Sequence, residues 1–544
     1  MNLFGLDKND RRVFAHDIAT HDLMGALNLL FTRLSGEKLE FLSNELSLRH
    51  TAWVGLVDNK KIKNAIVIET GIGANVIALS QVVENVYALY LDEDTKYIVE
   101  NRVENKNVQH ILMQNFPGVE DVDWASTVII SYNDLNDVFI KEYFMELVSV
   151  RKSCYYYYIC RHGFSRILSK LSALSNDNMM TYHIEGSSRD PYKMVSQNMK
   201  MKYFGRFKYV LYDLYMRFKN EYIVATNLSI EDSEFDFICS KVFHKKKYFI
   251  ENIYFIKPNG ALLAVNELNN KYMLRITSDS LGKKRLLSNN FALNLLEEKH
   301  ITVAPSLYQE INHGKYLCSV EECFKGKNIT EKEINNNNSR NKICRQATDI
   351  LISIHTETSS EKLLVDELYN DMIVRPVTDA RDLFPDKYSS IFDLIEKHFK
   401  KTLWKKKLNL VLSHGDYSVD NIMIENGLIT GVIDWEYSKS SGLPLVDLMF
   451  FICSVYKKKN KTNIIDAMQK IILDNEINGL ENSCVDSYCD SLSITNDLNP
   501  PLRLMCIVMF IAYRLEINMN INRKEAFGKD FGNILENVKN TILK

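Results

Sequence analysis

The chain has no cysteine pattern of a recognisable kind. Its ten cysteines are scattered without a Cys-x-x-Cys pair, and no histidine cluster stands at metal-ligand spacing. That argues against a disulfide framework and a zinc site and favours reduced thiols. A dominant charge is also missing. The 67 Lys and Arg against 69 Asp and Glu leave a formal net charge of −2, which argues against a nucleic-acid-binding face as the main business of the chain. The longest apolar run, Met505 to Tyr513, is too short for a membrane span and predicts a buried helix. Residues Met1 to Lys8 lack a basic segment followed by a long apolar run, so no secretory signal is expected and the cytoplasm is the expected compartment. No internal repeat is visible.

What is present is the composition of a globular protein, 46% hydrophobic and 25% charged, in a chain of 544 residues whose length suggests about three units. Residues 1–62 carry mostly helical patterning. From Asn64 strands alternate with helices, the signature of a parallel α/β sheet. Strands are expected at 65–69, 86–91, 108–112, 127–132 and 155–160, and an antiparallel pair at 207–213 and 221–226. The stretch 229–247, with Lys245-Lys246-Lys247, reads as a linker. Two or three strands follow from Ile253 to Thr277, then a helix at about 282–299 and strands again to Cys323. The tract Asn335 to Asn338 predicts an exposed loop, and residues 341–544 read as helical around hairpins.

The chemistry concentrates in residues 412–436. Asp416 stands five residues before Asn421, and Asp434 follows a hairpin that turns at Glu425-Asn426-Gly427. Phosphoryl transfer to a hydroxyl needs a carboxylate to accept the proton and oxygen ligands to hold Mg²⁺ against the ATP phosphates. In this spacing Asp416 is the expected base, with Asn421 and Asp434 the expected metal ligands. His414-Gly415-Asp416 followed by Ile433-Asp434-Trp435-Glu436 resembles the aminoglycoside phosphotransferase and choline kinase family. Taken singly, His-Gly-Asp is a common turn and Ile-Asp-Trp a common strand end.

The resemblance extends over roughly 250–520. It implies that Arg275, in Lys271-Tyr272-Met273-Leu274-Arg275-Ile276, clamps phosphate, the alternative being an exposed strand cation. It also implies that the segment around Glu321 and Glu322 is the hinge whose backbone binds adenine. His355 and His414 are implied to brace the catalytic loop, and Asp447 to stabilise the surrounding lobe. The pattern departs from the family in two places. The phosphate-covering turn, Pro258-Asn259-Gly260, has one glycine. The helix after Arg275 offers Ser288-Asn289-Asn290-Phe291-Ala292 where a Glu is expected, leaving Asn289, Asn290 or a residue elsewhere in the chain to orient the arginine.

In the N-terminal half, Ile66-Val67-Ile68-Glu69 is an apolar strand ending in an acid, followed by Gly71 and Gly73 and the start of a helix. Glycines permit close backbone approach to a nucleoside, and a helix start offers free N–H groups. The run resembles motif I of class I S-adenosylmethionine-dependent methyltransferases. The resemblance implies that Glu69, Gly71 and Gly73 line a S-adenosylmethionine pocket. Tyr90 stands where a ribose-binding acid is expected, with Asp92 two residues later as its substitute. Asn115 is a weak match for an adenine contact. A Rossmann-like scaffold without cofactor, or a different nucleotide ligand, are the alternatives. The aromatic run Tyr155 to Tyr158 alternates sides of a strand and reads as core and sheet surface.

Together these readings give an α/β Rossmann-like, methyltransferase-like domain over 1–228 and a linker over 229–247. An α+β bilobal kinase-like domain follows over 248–544, with an N-lobe at 248–328 and a C-lobe at 340–544. The expected function is ATP- and Mg²⁺-dependent phosphorylation of a small-molecule or glycan hydroxyl, fused to a S-adenosylmethionine-dependent methyltransferase. The alternatives are a kinase with a non-catalytic Rossmann scaffold, and a methyltransferase whose pseudokinase domain recruits substrate.

Overall fold

The computed structural model describes residues 8–20, 26, 57, 61–69, 73–103, 105–116, 122–133, 143–148, 154–160, 180–187, 190–195, 222–226, 234–243, 248–256, 260–267, 270–278, 280–314, 316–477, 479–518 and 524–543. The chain divides into two compact units, residues 1–283 with 311–318, and residues 284–310 with 319–544.

The first unit holds an eight-stranded sheet. Its strands are β1 (Asn64–Glu69), β2 (Asn85–Tyr90), β3 (Val108–Leu112), β4 (Thr127–Asn133), β5 (Tyr155–Cys160), β6 (Met180–Ser187), β7 (Asp190–Val195) and β8 (Tyr222–Thr226), in the order β3-β2-β1-β4-β5-β8-β6-β7. Neighbours from β3 to β5 pair in parallel. β8 lies antiparallel between β5 and β6. The five expected parallel strands stand within a residue or two of their predicted bounds. The reason is legible in β1, where Ala65, Ile66, Val67 and Ile68 are all buried, as befits a parallel strand covered on both faces. Of the expected antiparallel pair, β8 is the second member, and 207–213 lies outside the described residues. The helix α1 (Lys8–Thr20) supplies Arg11, which bridges to Asp92.

Two further features bear on the sequence reading. The stretch expected as a linker contains a helix, Glu234–Val242. That helix is tied back to the chain that follows it by the Tyr248 hydroxyl, which donates to Asp236. The antiparallel strands β9 (Tyr248–Ile256), β10 (Gly260–Glu267) and β11 (Asn270–Thr277) form a second sheet with β12 (Leu307–His313) and β13 (Tyr316–Glu322), in the order β12-β13-β11-β10-β9.

The second unit is mostly helical. α2 (Ser280–Glu298) matches the helix expected at 282–299. The Asn tract is not a loop. Asn336 caps α3 (Asn337–Thr358), its side-chain oxygen accepting from the Ser339 N–H. A polar side chain that competes with helical hydrogen bonds inside a helix satisfies orphan N–H groups at its start, so an Asn-rich tract can mark a helix boundary. Thr330 and Glu333 form a capping box one turn earlier. Beyond β14 (Lys327–Asn328) and β15 (Ser360–Leu363), β16 (Lys407–Ser413) leads into the loop that carries Asp416 and Asn421. β17 (Ile422–Glu425) and β18 (Leu428–Val432) form the hairpin, with Glu425 opposite Leu428. Asn426 and Gly427 have φ of 52° and 73°, the left-handed pair that a two-residue hairpin turn requires. β19 (Lys439–Gly442) and the helix α4 (Val446–Asn460) follow. The apolar run Met505 to Tyr513 falls in the helix Asn499–Asn518, and Met505, Cys506 and Ile507 are buried in the core with Leu351, Tyr417 and Trp435. No helix among the described residues is long and apolar enough to cross a membrane. Cys160 apart, the cysteines are free thiols, nine in number and eight of them buried.

Candidate active site

The loop expected to be catalytic leaves β16 through His414, Gly415 and Asp416. Gly415 has φ +78°, and a Cβ there would lie 2.4 Å from the Tyr437 carbonyl oxygen, so only glycine fits. The backbone N–H groups of His414 and Gly415 donate to the two carboxylate oxygens of Asp447, at 2.7 and 3.0 Å. Asp447 sits in the first turn of α4. Behind it, His355 Nε2 is 3.5 Å from Asp447 Oδ2, and His355 Nδ1 meets the Tyr488 hydroxyl at 2.5 Å. Burial opposes ionisation of Asp447, yet the histidines and backbone N–H groups around it hold its carboxyl below the usual range. The loop is therefore clamped by one buried carboxylate.

His414 is fully buried. Its Nε2 faces the Ile433 carbonyl at 3.0 Å and so carries the proton, leaving Nδ1 to accept from the Asp416 N–H at 3.2 Å. Burial lowers its pKa, which keeps it neutral. His355 and His414 thus both brace the loop, as the resemblance implied.

Asn421 Nδ2 donates to the Asp416 carbonyl at 2.9 Å and to its Oδ2 at 3.0 Å. Its Oδ1 carries no hydrogen bond among the described residues. Ile433 N–H donates to the Asn421 carbonyl at 2.9 Å, so the hairpin returns Asp434 to the loop. Asp434 has φ 68°, a left-handed conformation that Asp tolerates better than most residues. Asp416 is pushed up to about 7, first by burial and next by the negative charge of Asp434, while the Asn421 hydrogen bond opposes the rise. The structure thus brings Asp416, Asn421 and Asp434 together.

These residues fit a hard divalent cation. The donors are oxygens, Asn421 keeps its oxygen end while its nitrogen holds Asp416, and two carboxylates are close enough to raise a pKa. Among the described residues no group of three His, Cys, Asp or Glu could hold a metal by itself, so the amide oxygen of Asn421 would be part of any such donor set.

The other expected residues are distributed as follows. Arg275 is buried on β11, where it pairs in register with Leu262. Glu321 is buried on β13 and accepts from Asn289 Nδ2 at 2.9 Å and from the Ser319 hydroxyl at 3.3 Å. The Glu322 N–H donates to Ser306 O at 3.0 Å. Asn289 also accepts from the Trp435 N–H at 3.2 Å, next to Asp434. Asn290 donates to Glu310 at 2.7 Å. The asparagine in the place of the expected Glu thus joins α2, β13 and the Asp434 segment, a bridge that sequence spacing does not reveal. Of the turn Pro258-Asn259-Gly260, only Gly260 is described, and it opens β10.

In the first unit Glu69 ends β1, and Gly71 lies outside the described residues. Gly73 has φ +95°, and a Cβ there would come within 2.8 Å of Val99 Cγ1. Asn115 ends a short 3-10 turn. Asp92 caps the helix Glu93–Glu100. Its Oδ1 accepts from the Thr95 N–H and hydroxyl at 2.8 and 2.7 Å, and its Oδ2 from Arg11 at 3.2 Å. Tyr90 is fully buried, with its hydroxyl 2.7 Å from His110 Nδ1.

Residues 263–468 match the model of the Phosphotransferase enzyme family. No curated protein matches the chain. Among solved structures the chain is similar to a thermostable aminoglycoside phosphotransferase mutant in ternary complex with ADP and hygromycin B, at 11% identity and TM-score 0.37, over 56% of this chain and 97% of that one. It is also similar to the macrolide 2'-phosphotransferase of Brachybacterium faecium, at 14% identity and TM-score 0.35, over 53% and 94% of the two chains. An ADP-bound aminoglycoside phosphotransferase gives 14% identity and TM-score 0.33, over 50% and 98%. Over the matched region the chain is a phosphotransferase.

Proposed function

We propose that the region from β9 onward transfers the γ-phosphoryl group of ATP to a hydroxyl of a small molecule or glycan. The observation that carries this reading is the trio at the loop. Asp416 is held by Asn421 and faced by the charge of Asp434. In it Asp416 accepts the proton of the attacking hydroxyl, and its raised pKa suits a base working near neutral pH. Asn421 and Asp434 would hold Mg²⁺, which when bound neutralises charge on the phosphates. Arg275 is the proposed phosphate clamp, since a guanidinium holds two oxygens at once. The backbone around Glu321 and Glu322 is the proposed adenine site, with the Glu322 N–H already committed to Ser306. Asp434→Ala should reduce the Mg²⁺-dependent gain in ATP affinity by about tenfold or more, because an anionic ligand is lost. Calorimetric titration of ATP with and without Mg²⁺ reads this. An equal metal effect in both proteins would reject Asp434 as a ligand.

A second reading for the first unit is favoured by its sheet. The order β3-β2-β1-β4-β5 reverses direction between β1 and β4, and doubly wound sheets bind ligands beyond the strand ends at such a switch point. Glu69 and Gly73 stand there. We infer that this unit binds S-adenosylmethionine through Glu69, Gly71 and Gly73. Asp92 is left out of the proposed site, because Thr95 and Arg11 already occupy its carboxylate. Millimolar S-adenosylmethionine should raise the melting temperature of the full chain by mass action; no shift would leave the unit as a scaffold.

A further inference from the structure

The strongest feature that this reading leaves unused is Arg285 on α2. It is 5% exposed. Its Nη1 lies 3.9 Å from Glu436 Oε1, and its Cζ lies 4.7 Å from the Tyr437 ring centroid. Its Nε and Nη2 are buried, with no hydrogen-bond partner among the described residues. These two N–H groups form one edge of the guanidinium, the edge that takes a carboxylate or phosphate in a bidentate pair. Buried charged donors without acceptors are costly, so the edge has an acceptor missing.

Its place gives that absence a meaning. Glu436 and Tyr437 follow Asp434 directly, and the Tyr437 carbonyl presses on Gly415, the residue before Asp416. Tyr437 also packs on Tyr513 at a centroid separation of 6.2 Å, and Lys439 Nζ lies 5.0 Å over the Tyr513 ring. A second cation thus belongs to the same aromatic row beside the base. We propose that the Nε and Nη2 edge of Arg285 binds an oxyanion, phosphate or carboxylate, carried by the hydroxyl acceptor, so that the acceptor is an anionic molecule rather than a polycation. The inference rests on the kinase reading above. Glu436 faces Nη1 at 3.9 Å, and the remaining edge selects a planar or tetrahedral oxyanion.

The γ-phosphate of the nucleotide is the other source of the same chemistry, and the test separates the two. Inorganic phosphate is titrated by ³¹P line broadening into the full chain, with and without saturating Mg²⁺ and a non-hydrolysable ATP analogue. Wild type, Arg285→Lys and Arg285→Met are compared. Phosphate should bind in the presence of the analogue, and Arg285→Met should weaken it by about tenfold or more, as loss of a charge-assisted pair implies. Arg285→Lys should fall between, with analogue affinity and melting temperature near those of wild type. Equal phosphate binding by wild type and Arg285→Met overturns the proposal, and so does displacement of phosphate by the analogue. If Arg285→Met does not fold, Glu436→Gln removes the Nη1 partner and spares the other edge. Phosphate binding should then persist, and its loss overturns the proposal. The kinase reading fails separately, if the analogue shows no Mg²⁺-dependent binding.

Discussion

Asp92 and Asp416 each follow the end of a strand by two or three residues, and both are candidate site residues by sequence, Asp92 as a ribose contact and Asp416 as a base. The fold treats them in opposite ways. Each Asp92 oxygen is matched by a donor from its own unit, Thr95 on one side and Arg11 on the other. Among the described residues Asp416 has one side-chain donor, Asn421, and it faces the negative charge of Asp434, which with burial lifts it to about 7. A carboxylate whose donors all come from the chain is part of the scaffold. One held against a like charge keeps an unfavourable interaction that a proton or a cation relieves, which is what base catalysis and metal binding exploit.

The comparison breaks most severely at Asp416. Asp416→Asn should cut kcat by about 10²–10⁴ while ADP binding survives, since the substitution removes a proton acceptor and changes little volume. Near wild-type phosphorylation by this variant would end the assignment.

The pH dependence of stability comes next in size. The folded pKa of Asp416 lies above its ordinary value of 3.8, so between about 4 and 7 the folded chain keeps a proton that the unfolded chain releases. Stability of the metal-free protein should therefore fall as pH rises through that window, and more steeply in wild type than in Asp416→Asn. Asp447 has the opposite sign. Its lowered pKa stabilises above 3.8 and is lost as pH falls further. Melting curves across pH 4 to 8 for the two proteins test this, and parallel curves would show that Asp416 holds no extra proton.

The smallest effect is expected at Asp92. Asp92→Ala should cost about 1 kcal/mol of stability as a lost helix cap and leave S-adenosylmethionine affinity unchanged. A matching loss of affinity would make Asp92 a ligand after all and erase the contrast with Asp416.

Much of this molecule was legible in one dimension. Strands β1 to β5 fall where unbroken apolar runs alternate with helical stretches, because a strand buried on both faces must be apolar throughout. The hairpin of β17 and β18 was legible in Asn426-Gly427, whose left-handed φ values few other residue pairs adopt. The Asn tract misled because asparagine serves loops and helix caps through the same side-chain hydrogen bond. Asn336 shows the cap. The helix at 234–242 was hidden by the charged residues on both sides of it.

Local order along the chain determined the loop chemistry. Asp416, Asn421 and Asp434 lie within nineteen residues, and a strand, a tight turn and a returning strand leave little choice about where they meet. Only the tertiary structure decided what surrounds them. His355 meets Tyr488 across 133 positions, and Asn289 reaches Trp435 across 146. Arg285 finds Glu436 from another element altogether. No periodicity encodes such pairs, because they depend on how separate elements pack. The same packing sets the burial and charge around Asp416, and these, more than its place in the sequence, fix its proton affinity.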